Sequence, residues 1–204
     1  MTFKFAIGWG AGLLAAALLA PAAAAQQSAG SGGGALGGPL VPGVCLLSRE
    51  AILANSKVSL YASERIKQLT ADAQAEVDAE RKPIDAQIAT LRGQVAKMTP
   101  EQIRAQEKAL GERLAPIQAK ADLRRREIEK TRTDALATIS AQTQPLIAAA
   151  YAQKSCGLLI DRGTVLGGNY GNDITAAVVT ALDAKLTSFL IQRATLPTSP
   201  APAR

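Results

Sequence analysis

The sequence predicts an α+β protein in which a long antiparallel α-helical coiled-coil hairpin, a tentacle, projects from a small β-strand head domain. Three observations predict it. Apolar residues recur at helical spacing through residues 50–154. One compact break, Thr99-Pro100-Glu101-Gln102, divides that stretch. Short apolar segments, Val44-Cys45-Leu46-Leu47 and Leu158-Leu159-Ile160, flank it. A helix of roughly 48 residues is about 70 Å long, against a mean helix of about 11–12 residues. A chain that spends so much of itself on a protruding hairpin is built to reach, hold or space something.

Residues 1–25 read as a secretory signal peptide. Lys4 supplies a weakly positive start, residues 5–20 are apolar, and Pro21 precedes the run Ala22-Ala23-Ala24-Ala25. Cleavage is expected after Ala25. The apolar stretch is shorter than the roughly 20 residues a membrane-spanning helix needs, which disfavours an anchor. Val41-Pro42-Gly43-Val44 before Cys45 is not a lipobox. Residues 26–42 are rich in Gly, Ser and Ala and read as a flexible leader.

The strand Val44-Cys45-Leu46-Leu47 opens the head, and Ser48 and Asn55 are both candidate N-caps for the helical stretch after it. The first long helix carries Ile66, Leu69, Ala73, Val77, Ile84, Ile88, Leu91, Val95 and Met98. From Ile84 the steps alternate between four and three, a heptad seam. Thr99 caps the second helix, Pro100 stands at its first position, and Gln102 completes a capping box. That helix carries Ile103, Leu110, Leu114, Ile117, Ala121, Ile128, Ala135, Ile139 and Leu146, with Arg124 and Arg132 breaking the seam. So short a turn folds the two helices back antiparallel. Beyond Lys154, Leu158-Leu159-Ile160 is a second strand, Asp161-Arg162-Gly163 a turn, and Thr164-Val165-Leu166 a third strand. After a glycine-rich loop, Asp173 caps a helix through Ile174, Ala177, Val178, Ala181, Leu182 and Leu186. The expected organisation is thus a head from 43–49 and 155–193, an arm from 50–154, and a disordered tail from 194–204.

Pro83 and Pro116 lie inside the two long helices, at nearly equal distances from the turn. Each removes a helical hydrogen bond. They read as one shared hinge, with two independent tolerated kinks as the alternative. The second helix is basic in its middle, with Arg113, Lys120, Arg124, Arg125 and Arg126. Asp122, Glu127, Glu129 and Asp134 offset part of that charge, so a solvated face of ion pairs is one reading. The other is a flank that contacts clients or anionic lipid.

Nothing in the sequence supports catalysis, metal binding or a cofactor. The chain has no histidine and a net charge of +6. It has no C-x-x-C, no Walker sequence and no Ser-His or Cys-His pair. Export makes nucleic acid an unsuitable partner. Cys45 and Cys156 sit in an exported chain, where disulfides persist. If the first two strands run antiparallel, the cysteines fall at opposite ends, roughly 10–13 Å apart. That is beyond the Cα limit of about 7 Å. Free buried thiols are therefore expected, with an intersubunit bond as the alternative.

Several stretches carry a family resemblance. They are Val44-Cys45-Leu46-Leu47-Ser48, Ile52-Leu53-Ala54-Asn55-Ser56, residues 146–152, Leu158-Leu159-Ile160-Asp161, Val165-Leu166 and Asn172-Asp173-Ile174-Thr175. In this order the chain resembles the Skp/OmpH family of periplasmic chaperones. The resemblance implies a homotrimer whose head strands form a central barrel. It further implies a cavity between helical arms that holds unfolded outer-membrane proteins without ATP, in the periplasm. Oligomerisation would then run through Val44, Leu46, Leu47, Leu158, Leu159, Ile160 and Val165. Three short strands cannot close a stable sheet alone, which agrees with association of some kind. Ser48-Arg49, the glycine-rich leader and both cysteines depart from the family pattern. The rival reading is a non-enzymatic structural spacer or adaptor of the cell envelope, or a protein that binds lipopolysaccharide.

Overall fold

The computed structural model describes residues 36–197, which lie within one compact unit. Strand β1 (Val44–Leu47) leads into a short helix α1 (Arg49–Asn55) and the long helix α2 (Lys57–Gln94). A 3-10 turn, Val95–Lys97, connects α2 to α3 (Pro100–Gln153). Strand β2 (Leu158–Asp161), a second 3-10 turn (Arg162–Thr164) and helix α4 (Thr175–Lys185) complete the order.

The hairpin turn forms as its sequence dictates. Thr99 Oγ1 accepts from the Gln102 N–H at 3.3 Å, and Gln102 Oε1 accepts from the Thr99 N–H at 2.9 Å. This closes the capping box around Pro100. At 38 and 54 residues, α2 and α3 are about 57 and 81 Å long. Their register is set by three rungs: Glu76 with Arg124, Glu80 with Lys120, and Gln87 with Arg113. On that ladder Pro83 and Pro116 stand level. Both are exposed, and their neighbours Ile84 and Ile117 are buried against Val77 in a small upper cluster. A third proline inside α3, Pro145, lies near the head.

The start of the arm differs from expectation. Ser48 caps α1, its Oγ accepting from the Ala51 N–H at 3.0 Å. Asn55 is no cap: it ends α1 and donates to the Ala51 carbonyl. The break falls on Ser56, which is fully buried in extended backbone with its hydroxyl bonded to Ser59 Oγ. The first free N–H of α2, on Lys57, is taken by Asp183 of α4 at 2.7 Å. A distant carboxylate thus does the work of a local cap.

The sheet also corrects the sequence reading. Strands β1 and β2 are parallel, with Val44 opposite Leu158 and Leu47 opposite Asp161. The arm goes out and returns, but the chain then reverses once more at residues 154–157. Ser155 adopts a left-handed φ of 51° there. The Gly43 carbonyl, on a residue with φ 74°, accepts from Gly157 and Leu158 at 2.7 and 2.9 Å. The whole arm is therefore the crossover of a parallel pair. Both cysteines fall at the same end of the sheet, their Cα atoms 5.7 Å apart, and they form an intrachain disulfide. The expectation of free thiols failed because it omitted this second reversal.

Among the described residues there is no third strand. Thr164 ends a 3-10 turn, Val165 is half-buried, and Leu166 is fully exposed. The second edge of β1 is instead covered by residues 172–174. The Leu46 N–H donates to the Asn172 carbonyl and the Ile174 N–H to the Leu46 carbonyl, at 3.1 and 2.9 Å. The expected cap of the last helix shifts by one position: Ile174 is the N-cap of α4, and Asp173 just before it accepts from the Thr175 N–H at 2.8 Å. The main core gathers Cys45, Leu47, Ile52 and Val58 with Ile139, Ile174, Val178 and Leu182, then thins outward along the arm. The expected signal peptide and the leader up to residue 35 lie outside the described residues.

Candidate functional site

The arm presents two distinct surfaces. The first is apolar and lies near the head. Leu53, Ala62 and Ile66 face Leu136 and Ile139 across an open groove of about 660 Å³. A second groove of about 270 Å³, lined by Ile52, Leu53, Ile139 and Ile147, also borders α1 and α3. Leu53 and Leu136 remain 40% and 44% exposed at the rim. These side chains alternate with Ser63, Lys67 and Arg132, so the groove is apolar at its floor and polar at its edge.

The second surface is charged. Arg124 is turned inward: Nε meets Glu76 at 2.7 Å and an Nη meets Glu127 at 2.7 Å. Glu127 is 2% exposed, an unusual place for a carboxylate unless it is paired. Arg193, from the segment after α4, closes the cluster by meeting Glu76 at 2.8 Å and Glu127 at 3.4 Å. Arg193, with Arg124 second, holds the Glu76 carboxyl below the usual carboxylate range. Glu76, followed by Glu127, raises the Arg124 guanidinium further above its ordinary value.

A carboxyl that titrates lower when folded contributes fully above its unfolded value, about 4.3, and that contribution is lost as pH falls through the folded value. Hydrogen exchange at the Ala194 and Leu196 amides, once corrected for intrinsic exchange, should therefore be flat from about pH 6 to 8 and lose protection progressively as pH falls below the unfolded carboxylate value of about 4.3. Protection that persisted in acid would show that the cluster does not hold this segment.

The structure disperses the basic run that the sequence singles out. Arg113 donates to Gln87, Lys120 pairs with Glu80, and Arg125 pairs with Asp122 at 3.3 Å. Arg126 is exposed, with no ion pair among the described residues. Arg124 is half-buried, so it is poorly placed to meet a partner. Sequence reasoning named Glu127 only as an offsetting charge on a solvated face, and it did not flag Arg193. A visible signal for Glu127 was the stripe Leu123, Glu127, Thr131, Ala135, Ile139 and Thr143, every fourth residue and all buried. Such a stripe winds slowly around a helix. No periodicity could have flagged Arg193. It and residues 194–196, placed by the sequence in head and tail, lie along the arm.

Of the expected head-contact residues, Leu46 and Leu47 are buried within their own chain, and Val44 is half-buried. Leu158 is 53% exposed, while Leu159, Ile160 and Val165 are half-buried. Among the described residues no group of His, Cys, Asp and Glu could hold a metal ion. No described helix is long and apolar enough to cross a membrane.

A small parallel head, an antiparallel helical arm and an apolar groove at the arm's root define a hairpin-armed α+β protein. The family model for outer membrane proteins of the OmpH-like type matches residues 43–182, and the chain belongs to that family. A crystal structure from Caulobacter crescentus CB15, of a candidate outer membrane chaperone (OmpH-like), is similar at 30% identity with a TM-score of 0.70. The alignment covers 79% of this chain and 96% of that one. No curated protein matches the sequence.

Proposed function

We propose that the protein is an ATP-independent holdase chaperone of the periplasm, which keeps unfolded outer-membrane proteins soluble in a cavity between helical arms. The observation that carries this reading is the open apolar groove with a polar rim at the arm's root. An unfolded chain offers scattered apolar side chains, and a long shallow groove holds them by many weak contacts. Family membership supports a chaperone role, and the Caulobacter relative is itself a candidate outer membrane chaperone. The protein performs no chemistry on its clients.

The working unit is a homotrimer joined through the head. One edge of β1 is paired to β2 and the other to residues 172–174, whereas no partner covers the outer edge of β2 among the described residues. Leu158, Leu166 and Tyr170 are exposed in this part of the head. A two-stranded sheet is marginal alone, and another subunit would cover that edge. Residues 1–25 act as a cleaved signal peptide. Client contact is assigned to the groove first and to Arg125 and Arg126 second, because Arg113, Lys120 and Arg124 are already paired within the chain.

Diluting urea-unfolded porin into low-salt buffer tests the holdase reading by light scattering. One trimer per porin should suppress aggregation. Arg125→Glu with Arg126→Glu should weaken capture modestly and flatten its salt dependence, since exposed charges are screened within about 8 Å at physiological salt. Leu53→Asp with Leu136→Asp should weaken capture far more. Aggregation that proceeded unchanged in the presence of the wild-type protein would refute the proposal.

A further inference from the structure

The segment after α4 has neither helix nor strand, yet it is held on the arm. Its inner end is anchored by side chains: Ile191 is 5% exposed in the core, and Phe189 packs against the same cluster. Beyond Ile191 the contacts change character. Arg65 Nε donates to the Ile191 carbonyl at 3.3 Å. The Ala194 N–H donates to Thr131 Oγ1 at 2.8 Å, and the Leu196 N–H to Glu127 Oε1 at 3.3 Å. The arm thus reads this stretch mainly through its backbone. Arg193 adds the one charged side-chain contact, to Glu76 and Glu127. Backbone recognition does not depend on sequence, so the features demanded of an occupant are an extended chain and one cation.

We infer that the arm surface formed by Glu76, Glu127 and Thr131 is a binding site for an extended polypeptide segment, filled in cis by residues 193–196 and opened when an unfolded partner chain displaces them. The inference rests on the holdase reading for the identity of that partner. Glu127 and Thr131 are buried beneath the segment, each with a side-chain oxygen accepting one of its N–H groups. Any replacement chain offers the same N–H groups. Because the resident segment is tethered, its high effective concentration makes it a strong competitor, and it sets a threshold that only a long or multivalent partner exceeds. The outer half can leave without disturbing the core, since Phe189 and Ile191 hold the inner half.

The test uses the full chain and a fluorescent synthetic peptide with the sequence of residues 192–197. In the wild type the site is filled, and the peptide should bind weakly. Arg193→Glu places a carboxylate against Glu76 and Glu127, frees the site, and should tighten peptide binding about tenfold by removing the tethered competitor. The same peptide carrying Glu in place of its arginine should not bind. Arg193→Ala gives an independent readout if the Glu variant fails to fold. Unfolded porin should then compete with the peptide on the freed site. Equal peptide affinity in wild type and variants, or no binding to any, would overturn the site. Peptide binding that unfolded porin does not compete would overturn the displacement step. Peptide binding in a protein that fails to suppress porin aggregation would keep the site and reject the holdase reading.

Discussion

Reduction of the Cys45–Cys156 disulfide is expected to lower the free energy of unfolding by about 4 kcal/mol. The two cysteines are separated by 111 positions, and the bond closes the base of the arm. The chain-entropy argument gives about 4.7 kcal/mol for a loop of about 100 residues. A modest discount applies because a denatured helical hairpin retains local structure. Urea titrations of oxidised and reduced protein measure the difference. Cys156→Ala provides the same comparison without reductant, and the half-buried position limits any added packing loss. A difference below about 1 kcal/mol would contradict the loop-closure account of the bond's contribution. The loss should concentrate in the head, because β1 and β2 are a short parallel pair held across a long excursion.

Replacing both Pro83 and Pro116 with alanine is expected to stiffen the arm and raise its melting temperature. An interior proline costs about 3 kcal/mol relative to alanine in an isolated helix, and packing around an adapted kink returns less. The rungs at Glu76–Arg124, Glu80–Lys120 and Gln87–Arg113 bracket the two prolines at one level. Their missing hydrogen bonds therefore coincide, and neither helix splints the other. We propose that this level is a hinge that lets the cavity widen. The double variant should hold small clients as before and lose affinity for large ones. A spin label on Gln94 near the tip, paired with one on Lys185 in α4 and diluted into unlabelled chain, reports the motion. The distance distribution should narrow in the double variant. Equal widths would reduce the prolines to tolerated kinks.

The arm was legible in the sequence because its signals are local and redundant. The seam from Ile84, the Thr99–Gln102 capping box and the Asp173–Thr175 hydrogen bond before α4 each involve residues a few positions apart. What escaped was non-local. Ser155 adopts a left-handed φ although its residue type does not demand it, and that one turn decides strand direction and hence the disulfide. Thr164-Val165-Leu166 reads as a strand by composition, but β2 is followed at once by a 3-10 turn and no pairing partner reaches it among the described residues. Asp183 as the cap of α2 and Arg193 as the closure of the Glu76–Arg124–Glu127 cluster lie more than a hundred positions from at least one of their partners. No pattern along the chain encodes such contacts. The basic run was seen, but its composition did not reveal that Arg124 faces inward while Arg126 faces out.

Native mass spectrometry of the oxidised protein, alone and mixed with urea-unfolded porin, decides whether a trimer of these chains holds an unfolded client. Three copies of the chain are expected alone, and three copies with one porin after mixing. Leu158→Asp should break both species to single chains by placing an unpaired charge at the exposed sheet edge. A wild-type protein that flew as a single chain in both samples, carrying no porin, would contradict the trimeric holdase.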